Sequence, residues 1–78
     1  MPTIHVTVKL FAQYREGRFK TEQRVYPSPL KAQDIIDELG VDKELPLGVL
    51  MVNGKHVVTD YLLKEGDEIA LFPKIGGG

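Results

Sequence analysis

The sequence contains no cysteine in its 78 residues. This absence excludes disulfide bonds, a cysteine metal site, and catalysis by a thiol of this chain. Basic and acidic residues nearly balance, with a formal net charge of −1, which argues against a general nucleic-acid-binding protein because such proteins need a basic surface. No apolar run approaches the length that spans a bilayer. Residues 1–5 lack a basic segment followed by an apolar run, so we predict no signal peptide and a cytoplasmic location.

The first third of the chain has the pattern of two strands. Residues Thr3–Leu10 alternate strictly, with the apolar side chains on one side being Ile4, Val6, Val8 and Leu10. This period is typical of a half-buried strand. Residues Phe19–Tyr26 alternate less clearly, with one side made of Phe19, Thr21, Gln23 and Val25. The many polar residues of this second strand favour an exposed position, such as an arm of a hairpin.

One long helix is predicted after these strands. Ser28 is the candidate N-cap and Pro29 the first helical residue. The helix has a single apolar stripe with i, i+3, i+4, i+7 spacing, formed by Ala32, Ile35, Ile36 and Leu39. Gly40 follows at the position that favours a left-handed C-cap.

The second half of the chain predicts three further strands. Residues 48–52 are apolar almost throughout, and Asn53-Gly54, the strongest short hairpin signal, connects them to a return arm at residues 56–58. Leu62 and Leu63 are predicted to enter the core. A tight turn at residues 65–67 precedes a last strand over residues 68–72.

The predicted order is strand, strand, helix, strand, short strand, strand. One helix with four or five strands indicates an α+β fold, in which a mixed sheet packs on one main helix. This is the order of the ubiquitin-like β-grasp fold. We predict one β-grasp domain over residues 1–73 and a flexible C-terminal glycine tail over residues 74–78.

No side chain is a convincing catalytic group. The acidic turn with Glu65, Asp67 and Glu68 lacks the ligand spacing of a calcium loop and is expected to be solvated. His5 and His56 are far apart in sequence and fit surface positions on strands. We therefore predict no catalytic side chain, no metal site and no bound cofactor.

The chain ends in Gly76-Gly77-Gly78 directly after Phe72-Pro73-Lys74-Ile75. Glycine has no Cβ, so such a tail can extend and thread a narrow channel, although a frayed terminus is the simpler interpretation. The six residues 73–78 span up to roughly 20 Å when extended. Adenylation by ATP on a partner enzyme would convert the terminal carboxylate of Gly78 into an acyl electrophile.

Threading orders the tail at a cost of about 1–2 kcal/mol per residue, so the domain surface must supply binding energy. We assign partner docking to Phe72, Pro73, Lys74 and Ile75. Of these, Phe72 and Ile75 are apolar, and capping the edge of the core is an equally good interpretation for both.

Several sequence blocks, distributed over the whole chain, resemble the MoaD/ThiS family of ubiquitin-like sulfur carriers. The blocks are Lys9-Leu10-Phe11-Ala12 with Arg15-Glu16, Val52-Asn53, Leu63 with Gly66-Asp67-Glu68, and Leu71-Phe72-Pro73 followed by Gly77-Gly78. The Gly-Asp-Glu turn at a suitable distance from the terminal Gly-Gly is the specific part. The first block, with its Phe-Ala and Arg-Glu pairs, and the Phe-Pro before the tail are more similar to MoaD than to ThiS.

The resemblance implies that Gly78 is adenylated by a ubiquitin-activating-type enzyme, similar to MoeB or ThiF, and converted to a thiocarboxylate. It implies that residues 76–78 thread the partner's active site. A MoaD-type carrier gives its sulfur to molybdopterin within a complex with the large subunit of molybdopterin synthase. A ThiS-type carrier gives it to thiamine through thiazole synthase. In either case the chain is a carrier rather than an enzyme.

The tail departs from the family at two positions. MoaD-like tails usually have Pro-Pro-Val before a small residue and Gly-Gly, whereas this chain has Pro73-Lys74-Ile75-Gly76. Lys74 replaces a rigid proline and returns a backbone N–H. Gly76 makes the arm looser. A divergent carrier that serves a tungsten cofactor pathway or another sulfur acceptor is one alternative. A protein modifier that forms isopeptide bonds through Gly78 and a β-grasp interaction module with an inert tail are the others.

Overall fold

A computed structural model describes residues 2–43 and 45–74 of the chain. The strands and the helix are β1 (Thr3–Leu10), β2 (Thr21–Pro27), α1 (Ala32–Leu39), β3 (Leu47–Val52), β4 (Lys55–His56) and β5 (Glu68–Pro73), with 3-10 turns at Ala12–Arg15 and Val41–Lys43. The described strands form one sheet in the order β2-β1-β5-β3-β4. The central pair, β1 and β5, is parallel, and the other neighbours are antiparallel. This topology is the predicted β-grasp fold.

The core lies between α1 and one face of the sheet. All four predicted apolar residues of β1 are buried, as are Ile69 and Leu71 of β5. From α1, Ala32, Ile35 and Ile36 are fully buried, and Leu39 packs against the core from its margin. The two periodicities of the sequence therefore identified the core faces of β1 and α1 correctly, because each face must leave water to stabilise so short a chain.

The predicted start of the helix was wrong. Helix α1 begins after Lys31, and Ser28 lies in the preceding turn, where its N–H donates to the carbonyl of Pro2. The Lys31 N–H donates to the Asp34 carboxylate at 2.9 Å. The helix needs no serine cap, since carbonyls of the segment at residues 59–61 accept hydrogen bonds from its first free N–H groups. The predicted end is confirmed, because Gly40 is left-handed with φ of 66°.

The exposed position predicted for β2 is confirmed, because β2 is an edge strand of the sheet. Val25 is 58% exposed, whereas Tyr26 is only 8% exposed and belongs to the core. Tyr26 pairs with Ile4, whose side chain points to α1. The neighbouring strand therefore set which side of β2 is buried, which the weak alternation of β2 did not indicate.

The prediction for Leu62 was also wrong. Leu63 is buried, but Leu62 is 53% exposed. The Leu63 N–H donates to the Leu30 carbonyl at 2.8 Å, and Lys31 and Leu62 form an isolated bridge. This stretch is extended, so adjacent side chains point in opposite directions and only one leucine enters the core.

The Asn53-Gly54 hairpin is confirmed. Val52 pairs with Lys55, and both turn residues have positive φ, 53° for Asn53 and 81° for Gly54. Such angles are those of the tight turn whose twist matches the strands. The return strand β4 is shorter than predicted, at Lys55–His56. Within the described ranges, α1 and the 3-10 turns lack the length and apolarity to cross a bilayer.

A hydrogen-bonded cluster of Arg24, Tyr26 and Glu38 joins β2 to α1 and makes the stability of the domain depend on pH. The Tyr26 hydroxyl donates to Glu38 at 2.8 Å, and Arg24 also contacts Glu38. Burial, and then the hydrogen bond to Glu38, raises the pKa of Tyr26 to about 12. The unfolded chain releases this proton near pH 10 while the folded chain keeps it. The stabilisation is therefore complete below about pH 10 and is lost as the pH rises toward about 12.

We expect the free energy of unfolding to fall by about 1–2 kcal/mol more in the wild-type chain than in Tyr26→Phe between about pH 9 and about pH 11. Urea denaturation at both pH values measures the difference. The other ionisable groups are present in both chains and cancel. Equal losses in the two chains would show that Tyr26 does not carry this pH dependence.

Candidate functional site

The end of β5 brings the chain to the predicted functional tail. β5 lies between β1 and β3 in the sheet. Its last residue, Pro73, pairs with Leu47 of β3 and is buried, whereas Lys74 is exposed. Residues 75–78, which include the predicted docking residue Ile75 and the reactive Gly78, lie outside the described residues. The division into a domain over residues 1–73 and a tail over residues 74–78 therefore stays a prediction.

An apolar surface adjoins this exit on the sheet face that points away from α1. We call it the tail-side patch; its residues, all half-buried, are Phe11, Val49, Met51, Ala70 and Phe72. Val49 and Met51 of β3 pair with Phe72 and Ala70 of β5. The rings of Phe11 and Phe72 stack with centroids 4.2 Å apart and planes inclined by 11°. Half-buried aromatic residues on an open sheet face are accessible to a partner in the folded domain, without any rearrangement of it.

The position of Phe11 is set by the turn that follows β1. Its N–H donates to the Leu71 carbonyl at 3.2 Å, and its carbonyl accepts from the Tyr14 N–H at 3.1 Å. Ala12 between them has φ of 51°, a left-handed conformation that costs a residue with a Cβ about 1 kcal/mol. Buried Tyr14 donates its hydroxyl to the Leu45 carbonyl at 2.6 Å. The hydrogen bond to β5 and the turn anchored by Tyr14 thus hold Phe11 beside Phe72.

The start of β3 lies directly against the end of β5. The Lys74 N–H donates to the Pro46 carbonyl at 2.8 Å. Pairing is regular from Val49 to Val52 but shifts between Leu47 and Val49, so Gly48 is the extra residue of a bulge. Bulges bend a strand and redirect the residues beside them. This bulge lies at the point where the chain leaves the sheet.

The acidic turn is occupied by contacts within the domain. Glu65 accepts from the N–H of His5 at 2.9 Å and contacts its ring at 3.2 Å; these hydrogen bonds lower the pKa of Glu65. Glu68 pairs with Lys9 at 2.7 Å. Asp67 accepts from the Asn53 amide at 2.9 Å and from a backbone N–H at 2.8 Å. Among the described residues, no three acidic or histidine side chains converge as metal ligands would.

Sequence reasoning placed Phe72, Pro73 and Lys74 at the exit but missed two residues beside them. Phe11 lies on the polar side of the β1 alternation, and nothing in its own neighbourhood indicates that β5 will bring Phe72 against it. Gly48 could have been noticed, since a single glycine within a strand often marks a bulge or a close backbone approach. Pro73 is buried, so Phe72 and Lys74 are the described docking candidates that expose surface.

The sheet, the helix and their connections define a ubiquitin-like β-grasp protein. The profile of the ThiS family matches residues 8–78. The chain therefore belongs to the ThiS family, which confirms the resemblance found in the sequence. Membership makes it a ubiquitin-like protein of the sulfur-carrier type.

Three solved structures are similar over nearly their whole length. A Pyrococcus furiosus protein assigned as molybdopterin converting factor subunit 1 is 30% identical, with 92% of this chain and 99% of that chain covered and a TM-score of 0.77. Small archaeal modifier protein 1 of Haloferax volcanii is 25% identical, with coverage of 92% and 99% and a TM-score of 0.74. A complex of subunits 1 and 2 of the Helicobacter pylori molybdopterin-converting factor contains a chain that is 25% identical, with coverage of 96% and 100% and a TM-score of 0.62. A search of curated protein sequences found no match.

Proposed function

We propose that this protein is a sulfur carrier for molybdopterin biosynthesis. Its Gly78 carboxylate is adenylated by an activating enzyme of the MoeB or ThiF type and then converted to a thiocarboxylate. The carrier delivers this sulfur to the large subunit of molybdopterin synthase. The chain is a co-substrate and not an enzyme, and it acts in the cytoplasm, where ATP is available for the adenylation.

The similarity to two molybdopterin converting factor proteins supports this pathway over thiazole synthesis. One of them is the 30% identical Pyrococcus furiosus protein. The other is seen in complex with a second subunit, which supports a subunit of that kind as the sulfur acceptor of this chain. A ThiS-type carrier remains the alternative within the family, since the family profile itself carries that name.

The chemistry requires only the terminal carboxylate from this chain. An oxygen of the Gly78 carboxylate attacks the α-phosphorus of ATP and pyrophosphate leaves, which gives an acyl-adenylate. The terminal sulfur of a persulfide held by a partner then attacks the acyl carbon and AMP leaves, which gives an acyl disulfide. A second thiol of the partner attacks the partner-side sulfur of this S–S bond, so that a disulfide forms on the partner and the carrier retains the terminal sulfur as a thiocarboxylate. Because this chain has no cysteine, the sulfur and the thiol must both come from partners.

The single observation that carries the proposal is the tail-side patch beside the exit of a glycine tail. The patch places Phe11 and Phe72 next to the last described residue, Lys74. A partner that binds the patch is therefore within reach of Gly78, because four further residues extend by roughly 13 Å. We propose that Phe72 and Lys74 contact the partner at the rim of its channel, with Ile75, and that residues 76–78 enter the channel.

Intact-mass measurement tests the proposed chemistry. The chain is incubated with ATP, an activating enzyme of the MoeB type and a persulfide sulfur source. We expect a mass increase equal to the difference between sulfur and oxygen, located at Gly78 by fragmentation. Deletion of residues 76–78 should abolish the change, since it leaves no glycine carboxylate and shortens the tail by roughly 10 Å.

Omission of ATP is the matched control, because thiolation by any route other than an adenylate would persist without it. If several enzymes that activate other carriers of this family release no pyrophosphate with the wild-type chain, the proposal is wrong. Sulfur transfer to a molybdopterin synthase large subunit, compared with transfer to a thiazole synthase, then decides the pathway.

Protein modification is a second candidate, supported by the similarity to small archaeal modifier protein 1. Its first step is the same adenylation, after which a lysine amine attacks the acyl carbon and forms an isopeptide bond. Mass spectrometry of cell extracts distinguishes the two fates. Peptides whose lysines carry the Gly78 end of this chain would support modification, and a thiocarboxylate without such peptides would support the carrier alone.

A further inference from the structure

The chain is held once more after β5 ends. Beyond the last ladder residue, Pro73, the Lys74 N–H donates to the Pro46 carbonyl at 2.8 Å. A proline at position 74, as in the tails that this chain resembles, has no N–H and could not form this bond. Lys74 therefore gives the tail an anchor that a proline would not provide.

Gly48 makes room for this anchor. A Cβ on Gly48 would lie 2.7 Å from the Pro73 carbonyl oxygen and 2.8 Å from both Cα and N of Lys74. All three are backbone atoms, which cannot rotate away as the end of a side chain can. The φ of Gly48 is outside the left-handed region, so space, and not backbone freedom, requires glycine here.

We propose that the Pro46 carbonyl and Gly48 form a tail clamp, which fixes the direction in which the chain leaves the domain at Lys74 and thereby places the Gly78 carboxylate for activation. This inference rests on the proposed function. Gly48 is a positioning residue, since it acts through the backbone of Pro73 and Lys74 and does not touch the reacting atoms.

The composition of the tail explains why the backbone at Lys74, where the tail begins, must be held in one direction. Residues 76–78 have no side chains that a channel could grip, and glycine has more backbone freedom to lose than any other residue. A base held in one direction reduces the ordering of the tail that is still needed after the domain has docked and before the carboxylate can react, which is about 1–2 kcal/mol for each residue. Because a misplacement of about 1 Å at reacting atoms can lower a rate about 100-fold, a small change at Lys74 matters at Gly78.

Gly48→Ala tests the clamp. The new Cβ must move from 2.7 Å to the ordinary contact range that begins at 3.4 Å, so the backbone at residue 48 and that of Pro73 and Lys74 must move apart. In ATP-dependent activation measured by pyrophosphate release, we expect kcat to fall about 10-fold or more. The KM for the carrier should stay within about 2-fold, because the aromatic rings that bind the partner remain stacked.

Gly54→Ala is the matched control, since it makes the same substitution at the other end of the same strand. A Cβ there meets nothing within 4 Å, although its φ of +81° makes the variant less stable. We expect this variant to unfold earlier but to keep its kcat. An equal fall of kcat in both variants would mean that lost stability, not tail direction, explains the effect.

A second pair of variants separates the N–H of Lys74 from its side chain. Lys74→Ala keeps the N–H and removes only the side chain at the channel rim, so its effect should appear in KM and not in kcat. Lys74→Pro removes the N–H as well and brings ring atoms against the Pro46 carbonyl. We expect the same loss of kcat in Lys74→Pro as in Gly48→Ala. A normal kcat in Lys74→Pro would overturn the role of the hydrogen bond.

Hydrogen exchange of the Lys74 amide tests the clamp without any enzyme. The amide should be protected in the wild-type chain and exchange faster in Gly48→Ala; an unprotected wild-type amide overturns the clamp. If the wild-type chain is adenylated and Gly48→Ala has the same kcat, the positioning role is wrong while the proposed function stands. If the wild-type chain is not adenylated at all, the proposed function fails first, and the positioning role with it.

Discussion

Replacement of Phe72 by alanine is expected to lower kcat/KM for ATP-dependent activation of the chain about 100-fold. Phe72 lies at the centre of the tail-side patch, stacked on Phe11 and paired with Val49. Aromatic residues at the centre of an interface commonly contribute about 2–4 kcal/mol to binding, and each 1.4 kcal/mol is a factor of about 10. The loss should appear in KM, because in the proposed docking role the ring would bind the partner equally before and during the reaction.

The two kinetic predictions therefore differ in kind. Phe72→Ala should raise KM with little change in kcat, whereas Gly48→Ala should lower kcat with little change in KM. Pyrophosphate release at varied carrier concentration measures both quantities. The split separates the proposed docking surface for the activating enzyme from the proposed role of the backbone contact in directing the tail.

Val25→Ala is the control for Phe72→Ala. Val25 is an exposed apolar residue on the same face of the sheet, but it lies on the edge strand β2, away from the exit of the tail. It should leave kcat/KM unchanged. If Phe72→Ala remains folded in a thermal melt and its kcat/KM falls less than about 3-fold, the patch is not the docking surface.

Replacement of Asn53 by alanine should cost about 3 kcal/mol of stability. The Asn53 amide donates to the buried Asp67 carboxylate at 2.9 Å, and its oxygen accepts from the Glu68 N–H at 3.0 Å. Asp67 is only 8% exposed. Without the Asn53 amide, its carboxylate loses one hydrogen-bond donor that water cannot easily replace. Alanine must also adopt a φ of 53°. A chain of this size has a total stability of only about 4–12 kcal/mol, so the loss is a large fraction.

Asn53→Gly separates the two causes. Glycine tolerates positive φ but has no side chain, so it should lose only the hydrogen bonds, about 2 kcal/mol. Urea denaturation of the three chains at neutral pH gives both differences. A loss below about 0.5 kcal/mol in both variants would mean that water replaces the amide at Asp67 without penalty.

The carrier reaction should be affected less than stability in both Asn53 variants. Asn53 is at the far end of the hairpin from Pro46 and Gly48, and its contacts are to the turn before β5. Under conditions where both variants are folded, kcat for activation should remain close to that of the wild-type chain. This separates a residue that holds the fold from residues that present the tail.

Much of the fold could be predicted from local patterns. Strict alternation identified β1, the helical stripe identified α1, and Gly40 and Asn53-Gly54 marked a helix end and a hairpin through their backbone preferences. The order of the elements then indicated the β-grasp fold. These features depend on residues close in sequence, so a single sequence was sufficient.

The errors occurred where a distant segment decided the outcome. Ser28 was a plausible N-cap, but carbonyls at residues 59–61 bond to the first N–H groups of α1 instead. Leu62 was predicted to enter the core, whereas the bridge between Lys31 and Leu62 leaves it exposed. The weak alternation of β2 did not indicate its buried side, which the register with β1 sets. Local propensity is outweighed when a tertiary hydrogen bond or pairing with a neighbouring strand stabilises a different arrangement more strongly.

By itself, the sequence determined the order of the elements and the resemblance to the family, and from that resemblance we propose the carboxylate of Gly78 as the reactive group. Only the tertiary structure decided how the base of that tail is held. Phe11, Pro46 and Gly48 lie far in sequence from Phe72 and Lys74, and they meet because β1 and β3 both flank β5. Pairing across a sheet brings together residues whose separation along the chain carries no local signal.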